Sequence, residues 1–231
     1  MTPRRHHRRD NAAVLLIHGG LWDDDMDADR FWAAPGVSAG LDREGFTVLA
    51  PDRLHRPPTW DAEVEDLAPV LPKDPVSVVA GSNGCSVTIR LALAFPNRIE
   101  RLLLAWPATA GDPTVDSRTR IGLANLGASE QNIRALLDGQ TLRGVADAEL
   151  SRLKMPIAVL PSVPENPFHQ RHTVDALRRL LPGSEELPGC PEPPRPDFGP
   201  HLEQFVRAVT QNAMPSGSSL SPTPASITAR A

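Results

Sequence analysis

Ser82 is the residue in this chain whose surroundings point most directly to chemistry. It stands in Val78-Val79-Ala80-Gly81-Ser82-Asn83-Gly84-Cys85, an apolar run ending in a Gly-Ser-Asn-Gly turn, with helical sequence beyond it. A serine at a sharp strand-to-helix turn is held in a strained backbone conformation that lifts its hydroxyl above the sheet. Small residues two before and two after it, Ala80 and Gly84, keep the turn clear of the adjoining strand and helix. The next backbone N–H, that of Asn83, then falls at a helix N-terminus, where donors and the helix dipole favour a developing oxyanion. Taken alone, the motif is equally compatible with a Ser/Gly loop that caps a helix or a phosphate-binding turn. Neither the G-x-G-x-x-G spacing of a dinucleotide site nor the G-K-[ST] of a P-loop is present.

Positioning such a serine requires a sheet, and the segments around it supply one. Ala12–Ile17, Gly45–Ala50, Val76–Ala80, Leu102–Ala105 and Ile157–Leu160 are short apolar runs without alternation. Strands buried on both faces have this composition, which predicts a parallel sheet covered by helices. Helical periodicity follows in Ser86–Phe95, Thr173–Leu181 and His201–Val209. Alternating β and α segments predict a doubly wound α/β sheet, whose ligand lies beyond the carboxyl ends of the strands. The runs end at His18-Gly19-Gly20, Gly81-Ser82 and Trp106-Pro107, so these residues are expected around the site. Residues 112–153 break the rhythm with helical patches such as Glu130–Leu137 and Val145–Leu153, and are expected to form a small helical lid over the strand ends. A plain crossover is the alternative.

Composition limits the partners. The 231 residues carry a net charge of −4 and 40% hydrophobic content, which suits one globular domain and argues against nucleic acid as the main ligand. No apolar stretch has the roughly 20 residues of a membrane span. Two cysteines, Cys85 and Cys190, make no disulfide framework, and a cytoplasmic location is the default expectation. The histidines and acids show no metal-ligand spacing such as H-E-x-x-H, so neither metal nor other cofactor is expected. The folded domain is expected over 12–211. Residues 1–11, with Arg4-Arg5-His6-His7-Arg8-Arg9, read as a disordered basic arm, and 212–231 as a disordered Ser/Pro-rich tail.

Two further features extend the elbow. The turn continues through Val87–Phe95, Pro96 and Arg98-Ile99, with Arg101–Leu104 after them, in the order elbow, long helix, proline, next strand. His18-Gly19-Gly20 follows an apolar strand, Phe46–Asp52 forms another strand ending in aspartate, and His201-Leu202-Glu203-Gln204-Phe205 opens a final helix. Over roughly residues 12–211 this sequence resembles the α/β-hydrolases. The resemblance implies a catalytic triad in the order nucleophile, acid, histidine. Ser82 takes the first place. Among His169, His172 and His201, all C-terminal to the elbow, the resemblance selects His201 as base, in Phe198-Gly199-Pro200-His201. The acid is expected after the strand Ile157–Leu160, where Ser162-Val163-Pro164-Glu165 puts Glu165 in its place, with Asp112 and Asp197 as alternatives. The oxyanion hole is expected from the backbone N–H groups of Asn83 and Gly20, with Leu21 in reserve. His18 is expected to hold the turn. Trp22, Trp106 and Phe168 fall on loops over the strand ends and are candidates for the acyl pocket; Cys85 reads as packing.

The sequence departs from the family pattern in four places. Ala80 replaces the first elbow glycine and Glu165 the commoner aspartate. A Pro-rich stretch, Pro188–Pro196, is inserted before His201, and the family's leading hairpin is expected to be missing. The implied activity is hydrolysis of a carboxylic ester or thioester of a small acyl group through an acyl-enzyme on Ser82. Cofactor-free lyase or C–C hydrolase chemistry in the same pocket is the alternative, with a non-catalytic ligand-binding role beside it, because fold alone does not fix reaction. Oligomeric state is left open.

Overall fold

The computed structural model describes residues 12–213; the expected basic arm (1–11) and most of the expected Ser/Pro-rich tail lie outside the described residues. Six strands form one sheet: β1 (Ala13–Ile17), β2 (Thr47–Leu49), β3 (Val76–Gly81), β4 (Ile99–Ala105), β5 (Ile157–Leu160) and β6 (Glu185–Glu186). Their order is β2-β1-β3-β4-β5-β6 and every pairing is parallel. The order reverses at β1 and β3, the topological switch point, and β3 ends in the Ser82 turn.

Each central strand feeds two cores by simple alternation. Leu15 and Ile17 of β1, Val78 and Ala80 of β3, Leu102 and Leu104 of β4, and Val159 of β5 face one layer. Val14 and Leu16, Val79, Leu103 and Ala105, and Ala158 and Leu160 face the other. That is why the sequence reads as unbroken apolar runs: both pleat faces are covered. On the first side lie α2 (Trp60–Leu67), α3 (Gly84–Ala94) and α7 (Arg171–Leu180); on the second lie α1 (Val37–Arg43) and α8 (Leu202–Ala213).

Between β4 and β5 the chain forms α4 (Pro113–Asn125), α5 (Glu130–Leu137) and the one-turn α6 (Asp147–Leu150). Asp112 caps α4, its Oδ1 accepting the N–H groups of Thr114 and Val115 at 2.9 Å, and Ser129 caps α5. Leu123, Ile133, Leu136, Leu142, Val145 and Leu150 tie this excursion to the first core.

Candidate active site

The serine turn is built as its sequence requires. Ser82 has φ +53°, a left-handed conformation that a non-glycine residue adopts only under constraint. The constraint is visible: its N–H donates to Ala105 O at 3.0 Å, and its own carbonyl accepts from Cys85 N–H at 3.0 Å. Gly84 lets α3 approach the end of β1, since a Cβ there would lie 2.5 Å from His18 O and 2.7 Å from Ile17 O. Cys85 is fully buried, with its Sγ near the carbonyls of Ala80 and Ala105, and belongs to the core.

The His18-Gly19-Gly20 turn faces this serine across the sheet end. His18 is buried; its Nδ1–H donates to Gly19 O at 2.8 Å and its Nε2 accepts Arg53 N–H at 3.0 Å. Burial first, then the neighbouring Arg53 guanidinium, lower its pKa from 6.5 to about 4, so the ring is neutral. The Arg53 guanidinium donates to the carbonyls of His18, Gly19 and Gly20 at 2.9–3.0 Å and forms a forked ion pair with buried Glu63. Three consecutive carbonyls held by one buried arginine fix the turn. Gly20, at φ +86°, and Asn83 both line the cavity above Ser82, and among the described residues neither backbone N–H has a backbone partner. Such vacant donors are what a forming oxyanion needs.

The histidine that reaches Ser82 is not the one the sequence resemblance selects. His169 Nε2 stands 2.9 Å from Ser82 Oγ. His201 ends the 3-10 turn Pro196–His201, where its Nδ1 meets Gln204 Oε1 at 3.4 Å, and it is not among the residues lining the cavity. The Pro-rich stretch accounts for the displacement. Glu192, Pro193, Pro194 and Arg195 occupy the cavity wall, and the chain completes the 3-10 turn that ends at His201 before α8 begins at Leu202.

The acid also differs. Glu192, 8% exposed, has Oε1 3.4 Å from His169 Nδ1. Its Oε2 accepts the Ser162 hydroxyl at 2.8 Å, and its Oε1 accepts the Asn166 amide at 2.9 Å. Asn166 is oriented by Phe168 N–H, which donates to its Oδ1 at 3.0 Å, so its amide nitrogen must face Glu192 and the ring. Around His169 Nδ1 stand the Asn166 amide nitrogen at 3.2 Å and Glu192 Oε1 at 3.4 Å; the tautomer with its proton on Nδ1 directs it to the carboxylate and leaves Nε2 free to accept from Ser82. Burial alone would raise the Glu192 carboxyl; the His169 ring, the Ser162 hydroxyl and its own backbone N–H outweigh that and hold it down to about 2. Glu165, the expected acid, is exposed, and its Oε2 accepts Arg171 N–H at 2.7 Å, serving the start of α7. Asp112 caps α4 and Asp197 pairs with Arg195.

The histidine and the carboxylate that line up with Ser82 therefore come from the loops after β5 and β6, in the chain order serine, histidine, glutamate. These two loops are laced together: Ser162 bridges Cys190, Val163 N–H donates to Cys190 O, and Cys190 N–H donates to Pro161 O. The His169 loop is fixed to the loop after β4 as well. Thr109 N–H donates to Phe168 O at 2.7 Å and Gln170 N–H donates to Thr109 Oγ1 at 2.9 Å, bracketing His169 on both sides. His169 thus sits in a tethered segment even though the segment is not regular secondary structure.

A cavity of about 450 Å³ opens above Ser82. Phe168 lines it and is 46% exposed, as expected of a pocket residue. Trp106 does not: it is fully buried, stacks on Phe205 at 4.8 Å, and donates its Nε1–H to Cys190 O at 2.8 Å. Trp22 is likewise buried, its Nε1–H donating to Pro57 O, and flanks a separate small recess. Both expected pocket tryptophans are packing residues because indoles this large satisfy the core better than a rim. The far wall comes from α4, through Arg118, Thr119, Gly122 and Leu123, and from Arg143 in the α5–α6 connection.

No family model matches the chain. An uncharacterized protein of Mycobacterium tuberculosis and its counterpart in Mycobacterium bovis are 34% identical to it over 125 residues, 49% of this chain. The chain spans about a third of the length of these curated relatives. Among solved structures, an extracellular alpha/beta-hydrolase from a Paenibacillus species superposes with a TM-score of 0.64 at 15% identity, over 87% of this chain and 99% of that one. The chain has the α/β-hydrolase fold. A hydrolase of Pseudomonas aeruginosa gives 0.62 at 17% identity over 87% and 91% of the two chains. The 2-hydroxy-6-oxo-6-phenylhexa-2,4-dienoate hydrolase of a Rhodococcus strain gives 0.61 at 15% over 87% and 89%. At such identities the likeness speaks for the α/β-hydrolase fold and not for substrate. Among the described residues, no helix is long and apolar enough to cross a membrane, and no group of three or more His, Cys, Asp or Glu side chains is placed to hold a metal.

Proposed function

We propose that the protein is a serine hydrolase that cleaves a carboxylic ester or thioester through an acyl-enzyme on Ser82, with His169 as base and Glu192 as its acid partner. The observation carrying this reading is the 2.9 Å contact between His169 Nε2 and the hydroxyl of a serine held at φ +53° beside vacant backbone donors. Ser82 Oγ attacks the substrate carbonyl as His169 Nε2 takes the hydroxyl proton, and the carbonyl oxygen becomes an oxyanion facing the N–H groups of Gly20 and Asn83. The tetrahedral adduct collapses, the bond to the leaving oxygen or sulfur breaks, and His169 returns its proton to that atom. Water then adds to the acyl-serine, losing a proton to His169, and the second collapse releases the carboxylic acid and restores the serine hydroxyl. Glu192 keeps Nδ1–H in place and stabilises the imidazolium formed in both halves.

Treatment with a fluorophosphonate, followed by peptide mapping, tests the reading without knowledge of the substrate. The expected result is modification of Ser82 in the wild type and none in Ser82→Ala. A folded wild-type protein that stays unmodified would overturn the acyl-enzyme.

A further inference from the structure

The cavity contains a buried charge for which the triad has no use. Arg143 is 2% exposed and lines the same cavity as Ser82 and His169. Its Nη1 donates to Asn83 Oδ1 at 3.0 Å; its Nη2 donates to Asp116 Oδ1 at 3.3 Å and to Thr119 Oγ1 at 3.2 Å. These contacts use three of the five guanidinium N–H groups, and among the described residues Nε has no partner. Among the described residues its one carboxylate partner, Asp116, is partly exposed and touches a single guanidinium nitrogen at 3.3 Å. Burial lowers the pKa of Arg143, against the pull of Asp116, which marks it as a cation short of compensation. A buried guanidinium with unfilled donors is stabilised by an anion that completes its pairing. Arg118, exposed on α4, adds a second cation to the same wall, while the carboxylates on the lining, Asp23 and Glu192, come from other loops, and Glu192 is committed to His169.

Building on the serine-hydrolase reading, we propose that Arg143 binds a carboxylate carried by the substrate, so that the ester or thioester cleaved at Ser82 is anionic. Asn83 links the two functions: its backbone N–H lies at the proposed oxyanion position and its side-chain oxygen accepts from Arg143 at 3.0 Å. The cavity of about 450 Å³ fits a short acid ester of this kind.

Calorimetry on the Ser82→Ala protein tests the anion site independently of turnover. Monomethyl glutarate carries the charge on the acyl side and the butyrate ester of glycolate carries it on the alcohol side; methyl valerate and propyl butyrate are their neutral counterparts. The expected result is at least tenfold tighter binding of one anionic ester than of its neutral counterpart, the better one locating the charge. Adding Arg143→Gln collapses that ratio to near one, and adding Arg143→Lys retains part of it. Equal binding of charged and neutral esters by the Ser82→Ala protein, a comparison that needs no Arg143 variant, overturns the proposal. So does a preference that survives Arg143→Gln. Fluorophosphonate labelling of the wild type reports the hydrolase reading separately, so failure of one is distinguishable from failure of the other.

Discussion

Lowering the pH from 7 to 5 should remove about 2 kcal/mol of stability through His18 alone. The ring is 3% exposed, donates to Gly19 O and accepts from Arg53 N–H, so a second proton on Nε2 would confront a backbone donor and a guanidinium. Its folded pKa of about 4 lies below the ordinary 6.5. Between those values the unfolded chain binds the proton and the folded chain does not. The contribution is fully present above pH 6.5 and is lost as the pH falls toward 4. The gap, at about 1.4 kcal/mol per pH unit, amounts to about 3 kcal/mol in all, of which about 2 kcal/mol is gone by pH 5. The assay is urea unfolding followed by tryptophan fluorescence at pH 5, 6 and 7, on the wild type and on His18→Gln. The variant is less stable at pH 7 but loses about 2 kcal/mol less than the wild type on going to pH 5. Parallel pH profiles for the two proteins would refute the buried neutral imidazole. Glu192 does not confuse this window, because its pKa, held at about 2 against 4.5, makes a contribution present above pH 4.5 and lost only below it.

Other variants probe the remaining parts of the site. Glu192→Gln should cut esterase kcat by about a thousandfold while the protein still folds, since it removes the negative charge and offers His169 Nδ1 an amide donor that favours the wrong tautomer; a change below tenfold in a pH–rate series would contradict its role. Glu165→Ala should leave Ser82 labelling unchanged and cost about 1 kcal/mol or less by thermal melting, because its carboxylate serves only the N-terminus of α7. Gly84→Ala should lower stability by about 1–3 kcal/mol and slow labelling of Ser82, since its new Cβ meets two backbone carbonyls of the β1 end rather than a side chain that could move.

The parts of this fold that were legible in the sequence are those set by local physics. β1, β3, β4 and β5 announce themselves as apolar runs because both of their faces are buried, and the elbow announces itself through Gly81, Ser82 and Gly84. β6 is two glutamates at a sheet edge, and nothing in its composition separates it from a loop. Helices α1 and α2 are only seven and eight residues long, too short for their periodicity to stand out, and are held by tertiary contacts of Leu41, Trp60 and Leu67. The chain order of the family resemblance points to His201 and Glu165, whereas the side chains that meet at Ser82 are His169 and, behind it, Glu192. The Pro-rich stretch was visible as a departure, yet nothing in it shows that Glu192 would point inward. One signal lay nearer: His169 lies in the loop that leaves the carboxyl end of β5, the region where a doubly wound sheet puts its functional residues. His201 comes after α7, β6 and nine residues rich in proline, at the far end of a 3-10 turn.

The pairing of His169 with Ser82 is most directly tested by fluorophosphonate labelling rates in His169→Ala and His201→Ala. The account predicts that labelling falls at least a hundredfold in His169→Ala and stays within threefold of the wild type in His201→Ala. The opposite pattern, labelling lost with His201 and kept without His169, would contradict it.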